Sequence, residues 1–383
     1  MLTLDSELQA ETERSLKSTI ASIGGDCNAG AAVVIDVHSG NTLAMASYPT
    51  YDMSRFDEDY ESLINDTGNP MINRAVSGMY SPGSTFKPLT AIAGIQTGNL
   101  KLNEHIACEG VYRVYEDYQP TCWIWSEAQA THGAQDVTLA IENSCNYFFY
   151  ELGRRLGIDT LDEYAKKFGL GEYTGIELNE EAEGLMASPE YKSKVVLNVI
   201  DSEWFGGDTL QAAIGQSYSL FTPVQLANYC ATIANGGTRY KVNLIDSIRS
   251  SVDGSIVEQF EPQIAEQIDL EPETIDKIHD GMRKVADEGS ARSIFDGYPI
   301  QIGGKTGTAQ LGQGSNNAIF IAFAPFDDPQ IAVSVVLEHG RRGANAGLVA
   351  RDIFDKYFFG SGENVPAANT PVNEPETETA QVQ

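Results

Sequence analysis

Residues 31 to 37 read Ala-Ala-Val-Val-Ile-Asp-Val, an apolar run that breaks at Ser39-Gly40-Asn41 and resumes as Thr42-Leu43-Ala44-Met45-Ala46. A short apolar run bounded by turn residues predicts a buried strand, and the break predicts a hairpin into a second one. Residues 318–325 and 331–337 repeat the pattern and predict two adjacent strands of an antiparallel sheet, with residues 302–309 as an edge strand. Helical spacing dominates elsewhere. Residues 6–22 predict a helix with Leu8, Leu16 and Ile20 inward, and Phe148, Phe149, Leu152 and Leu156 predict a core face. Asp136 is placed to cap a helix over the next residues, 154–172 and 346–358 read as helices, and 224–233 reads as amphipathic with Cys230 as a buried thiol.

A sequence of 383 residues can bury a large core, and 42% hydrophobic content fits a globular chain. Twenty-five basic against 54 acidic side chains give a net charge of -29, which argues against nucleic acid or an anionic membrane surface as a partner. No run approaches the ~20 apolar residues of a membrane helix, and no signal peptide is evident, so an anchor is expected to be absent from this sequence. Residues 360–383, with Pro366, Pro371 and Pro375 among Glu and Thr, predict a disordered acidic tail.

Chemistry first shows at Ser81-Pro82-Gly83-Ser84-Thr85-Phe86-Lys87-Pro88. Pro82-Gly83 predicts a turn and Ser84 an N-cap, with Pro88 tolerated in the first helical turn. Ser84 and Lys87, three apart, share a helix face. A lysine kept neutral by desolvation can take the proton of a serine nucleophile, so Ser84 is the candidate nucleophile and Lys87 its base. A lone Ser-x-x-Lys is commonly just capping and solubility. Two further motifs change the weight: Ser144-Cys145-Asn146 interrupts an apolar pattern, and Lys305-Thr306-Gly307-Thr308 sits on the predicted edge strand. The three occur in the order found in penicillin-binding proteins and serine β-lactamases. On that reading Ser144 relays a proton and Asn146 binds the substrate amide. Lys305 supplies positive charge, Thr306 and Thr308 bind a terminal carboxylate, and Gly307 lets a substrate backbone come close.

Residues 99–135 form a polar, aromatic stretch that reads as an insertion held by something other than a hydrophobic core. Cys108, Cys122, His132 and Cys145 follow one another with thirteen, nine and twelve intervening residues. Three Cys and one His suit tetrahedral zinc; buried unpaired thiols or disulfides are the alternatives, since no tight Cys-x-x-Cys pair is present.

Leu4-Asp5-Ser6-Glu7-Leu8-Gln9, Ser47-Tyr48-Pro49-Thr50-Tyr51-Asp52, Asn73-Arg74-Ala75 and Ala212-Ala213-Ile214-Gly215-Gln216-Ser217, together with the three motifs, resemble the transpeptidase domain of elongation-type class B penicillin-binding proteins. Ser217 and Ser290 depart from the Gly and Thr usual there. The resemblance covers residues 1–358 and implies an α+β fold, an antiparallel sheet flanked by helices, with a helical subdomain carrying Ser84 and Ser144. It implies D,D-transpeptidation of peptidoglycan stem peptides through a Ser84 acyl-enzyme and acylation by β-lactams. Backbone N–H groups of Ser84 and Thr308 would form the oxyanion hole. It implies no catalytic cofactor, a structural zinc beside the Ser-x-Asn motif, a wall glycosyltransferase and the elongation or division machinery as partners, and an extracytoplasmic location with the anchor and pedestal domain outside this chain. Asn146 argues against a class D β-lactamase; a D,D-carboxypeptidase would differ only in using water as acceptor.

Overall fold

The computed structural model describes residues 1–198 and 201–360. Five strands form one antiparallel sheet in the order Thr42–Tyr48, Ala29–Asp36, Ile331–Glu338, Asn317–Ala324, Gly303–Ala309. The three central strands are buried at almost every position, which requires cover on both faces. The helices Ser6–Ile23 and Gly343–Phe359 pair with each other and pack on one face, and Pro223–Ala234 and Pro272–Asp287 pack on the other. The predicted hairpin forms, with Gly40 at φ 76°, and Leu8, Leu16 and Ile20 point inward at 3% exposure or less.

Local signals explain several boundaries. Asp5 accepts from the amides of Glu7 and Leu8 to start the first helix, and Asp136 caps Val137–Glu142 through the amide of Leu139. Thr222 and Gln225 make a reciprocal capping box, with Pro223 in the first turn. That helix corrects one expectation: Pro223–Ala234 is buried all round and not amphipathic, because it is sandwiched between the sheet and the helical subdomain. Cys230 is fully buried, as expected. The helix expected over 154–172 is instead the second half of Asn146–Lys167, broken at Gly157 (φ 75°, ψ 168°). The expected disordered tail lies, apart from Gly360, outside the described residues.

The 99–135 stretch has only a three-residue strand pair, Ile106–Cys108 with Gly133–Gln135, and a short helix Trp123–Ala128. Polar ties moor it to the Asn146–Lys167 helix: Tyr112 donates to Glu151 Oε2 at 2.6 Å, and Arg155 joins Glu151 and Glu104, each at 2.8 Å. Among the described residues no helix is long and apolar enough to cross a membrane.

Candidate active site

Ser84 lies in a 3-10 turn, Gly83–Phe86, that runs directly into the helix Lys87–Gln96. It is therefore not the N-cap expected from its sequence. Phe86 precedes the α-helix without a side-chain cap, because the 3-10 turn already hands the chain over in helical conformation. Pro88 falls in the first turn, where no amide bond is lost.

Lys87, fully buried, carries its ammonium into the helical subdomain. Its Nζ donates to Ser144 O at 2.7 Å and Asn146 Oδ1 at 2.6 Å, and lies 3.1 Å from Ser144 Oγ. Lys305, also fully buried, reaches the same hydroxyl from the edge strand at 3.0 Å and donates to Thr306 O at 3.0 Å. The structure thus brings Lys87 and Lys305 together on the Ser144 hydroxyl, with Asn146 joined to them through Lys87. Burial pushes Lys87 down to about 8, against an opposing pull from the thiols of Cys122 and Cys145. Lys305 is driven well below the usual lysine range by burial and by the neighbouring Lys87 charge.

Ser144 is held by a helix ending. The amide of Cys145 donates to Ala140 O at 3.0 Å and that of Ser144 to Ile141 O at 3.2 Å, the paired bonds of a Schellman turn. Ser144 occupies its left-handed position at φ 49°, where glycine is the usual occupant. A serine there costs roughly 1 kcal/mol and gains a hydroxyl fixed between two lysines.

The edge strand docks on the Ser84 turn through missing side chains. A Cβ on Gly307 would stand 2.7 Å from Pro82 O, and one on Gly83 would stand 2.9 Å from Thr308 O. Gly307 is thus required by contact with the protein's own turn, a reason the sequence reading did not offer. Behind the turn, Gly215 O accepts from the Gly83 amide and the Ser81 hydroxyl, both at 2.8 Å. Thr306 Oγ1 lies 2.5 Å from Ser290 Oγ, and Thr308 Oγ1 accepts from the Gly343 amide at 3.2 Å. Gln216 Nε2 donates to Thr308 O at 3.3 Å. Ser290, Gly343 and Gln216 were missed as supports of the site. Each is far from the motif in sequence; Ser290 left a trace there as a departure from the usual threonine and Gln216 as part of the family-like segment 212–217, but neither signalled a contact with the edge strand.

Cys108, Cys122, His132 and Cys145 also converge, their ligand atoms all within 4.8 Å of one another. Cys122 Sγ lies 3.9 Å from Cys145 Sγ and 3.5 Å from His132 Nδ1. All five cysteines are free thiols, so disulfides are not the arrangement present. Two sulfurs on one tetrahedral zinc, each ~2.3 Å from the metal, stand about 3.8 Å apart, so the donor set and its spacing fit that ion. Trp123 packs against the His132 ring, with centroids 5.4 Å apart.

The family model described as the penicillin binding protein transpeptidase domain matches residues 30–358, and the chain belongs to that family. It is 33% identical over 400 aligned residues to the peptidoglycan D,D-transpeptidase MrdA of Escherichia coli, covering 97% of this chain and 59% of that protein. It thus spans less than two thirds of the length of that curated relative. Penicillin-binding protein 2A of Bacillus subtilis is 28% identical, over 94% of this chain and 51% of its own length. Among solved structures, Pseudomonas aeruginosa PBP2 in complex with WCK 5153 superposes with a TM-score of 0.82 at 32% identity, over 96% of this chain and 80% of that one. The α+β fold expected from the sequence is the fold of these relatives.

Proposed function

We propose that this chain is the catalytic unit of a peptidoglycan D,D-transpeptidase. The observation that carries the reading is the convergence of two buried lysines on the Ser144 hydroxyl, next to a serine on the same helix start as Lys87. Neutral Lys87 takes the proton of Ser84, whose Oγ attacks the penultimate D-alanine carbonyl of a stem peptide. Backbone amides of Ser84 and Thr308 receive the oxyanion. The proton passes from Lys87 through Ser144 to the departing D-alanine, while Lys305, Thr306 and Thr308 hold its carboxylate and Asn146 the substrate amide. Hydrogen bonds to Ser290 and Gly343 fix the two threonine oxygens, and Thr308, which accepts from the Gly343 amide, keeps its own O–H for a ligand. An amine of a neighbouring strand then accepts the acyl group.

A β-lactam would acylate Ser84 in the same way, and since no residue of the sequence stands out as a dedicated deacylating base, the adduct is expected to be long-lived. After incubation with benzylpenicillin, intact-protein mass spectrometry is expected to show one stable adduct on the wild type and none on Ser84→Ala. Rapid hydrolysis of the drug without an adduct would make the chain a β-lactamase instead.

The Cys108, Cys122, His132 and Cys145 set is assigned to a structural zinc. A zinc held by these four residues would supply a structural crosslink, with Cys145 anchoring the turn that carries Ser144 and Asn146. The domain reading is one unit over 1–358 with 99–135 as its metal-bearing insertion. Relatives support the partner reading: one similar structure concerns the structural coordination of polymerization and crosslinking by a peptidoglycan synthase complex, and another is a complex between Helicobacter pylori PBP2 and MreC. A glycosyltransferase and a scaffold of the elongation type are the expected partners, on the extracytoplasmic side of an anchored full-length protein.

A further inference from the structure

The Ser144 hydroxyl has to stay between two lysines while the backbone beneath it holds a left-handed φ of 49°. A peptide bond is planar, so the two planes that meet at Ser144 set where that hydroxyl points. Four polar atoms belong to those planes, and each has a partner. The amides of Ser144 and Cys145 donate to Ile141 O and Ala140 O, and Ser144 O accepts from Lys87 Nζ at 2.7 Å. The fourth, Asn143 O, lies at a helix end, where carbonyls have no partner further along the helix. It accepts instead from the indole N–H of Trp123, at 3.0 Å.

Asn143 is held a second time, through its side chain. Its Nδ2 donates to Gln135 Oε1 at 3.0 Å, and Gln135, which is buried, is fixed in turn by Nε2 bonds to His132 O (2.8 Å) and Ala134 O (3.1 Å). Both holders come from the 99–135 stretch, which also reaches this turn through the Cys/His cluster. None of these bonds uses a thiol or an imidazole nitrogen. A buried indole N–H has to find a protein partner, whereas one on a side chain 38% exposed could use water. The N–H of Trp123 is nonetheless turned inward, to the carbonyl that precedes Ser144.

We propose that Trp123 and Gln135 are positioning residues for the Ser144 hydroxyl, an inference that rests on the transpeptidase reading. Through Asn143 they fix the peptide plane on the N-terminal side of Ser144, while the Cys145 amide and Ser144 O fix the plane on its C-terminal side. With the clamp released, the first plane can rotate and φ can leave the left-handed well for the right-handed one that an L-residue prefers. That change carries Oγ away from Lys87 and Lys305. Neither Trp123 nor Gln135 has to touch the substrate, so the clamp acts on the acylation step and not on the binding that precedes it.

The test is the two-step kinetics of acylation by benzylpenicillin, which separates the dissociation constant of the first complex from the acylation rate constant. Trp123→Phe keeps a ring beside His132 and removes the N–H. It should lower the rate constant about three- to tenfold, the range of one hydrogen bond, at an unchanged dissociation constant. Asn143→Ala keeps the carbonyl, frees it from Gln135 and lies outside the Cys/His cluster; it should lower the same constant about threefold. A raised dissociation constant at an unchanged rate constant would make Trp123 a ligand contact and overturn the proposal, as would unchanged kinetics in both variants. A fall confined to Trp123→Phe and accompanied by loss of bound zinc overturns it too, because the ring would then act through His132. Absence of any penicillin adduct on the wild type would instead overturn the transpeptidase reading beneath it.

Discussion

The sheet and the 99–135 stretch differ in what packs them. In the sheet, apolar side chains from Ala31–Ile35, Ala318–Ala324 and Ile331–Leu337 are at 0% exposure and packed from both sides. The 99–135 stretch has two three-residue strands, a six-residue helix, hydrogen bonds to Glu151 and Arg155, and Cys108, Cys122 and His132 gathered with Cys145. The difference teaches how the site is assembled. Lys305 and Gly307 ride on a strand of the buried sheet, whereas Ser144 and Asn146 flank Cys145, whose sulfur belongs to the Cys/His cluster. One lysine thus sits on the core, and its hydroxyl partner sits beside the cluster.

That division can be broken most forcefully from the sheet side. Phe320 is fully buried and stacked on Phe295 at 5.9 Å. Phe320→Ala should cost about 3–5 kcal/mol, read as a fall in the denaturant midpoint of the whole chain. A loss confined to the site would show that the sheet is not its common support. Next in size, Cys145→Ser, or chelation of the wild type, should slow benzylpenicillin acylation about 10–100-fold with the sheet still folded. Zinc should fall from one equivalent to none. Unchanged acylation after complete metal loss would separate the cluster from Ser144.

The pH dependence sharpens the comparison at Lys87. Its folded value of about 8 is depressed, so the neutral form, the one the proposed base requires, is scarce well below that pH and dominant well above it. Acylation should climb with pH, from about a tenth of the neutral form at pH 7 to a plateau above 9. A rate that is flat from pH 6 to 9 would count against Lys87 as base. The smallest effect belongs to Ser217, at φ 68°. Ser217→Gly should stabilise by up to about 1 kcal/mol in a melt, with acylation unaffected, whereas Ser144→Gly, at the same kind of backbone position, removes the hydroxyl between the lysines.

What could be read ahead of the structure followed locality. Asp136 as a cap, Pro88 in a first turn, and the buried strands at 31–37 and 331–337 depend on neighbours in sequence, and all are present. The three motifs marked residues that do meet, because each has its own local setting: a turn, a helix ending, a strand edge. Failures came where a distant element decides the outcome. Nothing in Val224 to Ile233 reveals that its polar positions Asn228 and Thr232 are covered, since the cover comes from elements remote in the chain. Ser84 looked like a cap because the 3-10 turn before Lys87 has no propensity signature of its own. A cavity of about 400 Å³ lined by Ile72, Arg74, Tyr80, Asn317 and Glu338 joins segments remote in the chain and could not be seen before folding.

The glycine seam also bears on drug escape. A Cβ on Gly307, Gly83, Gly215 or Gly343 would meet backbone at 2.9 Å or less. On the transpeptidase reading, changes there push the strand and the Ser84 turn apart before they discriminate one ligand from another, so a natural peptide would be lost together with a β-lactam. Variation that keeps peptide turnover while weakening a β-lactam would then have to be sought away from the seam, where side chains can alter shape without parting strand and turn.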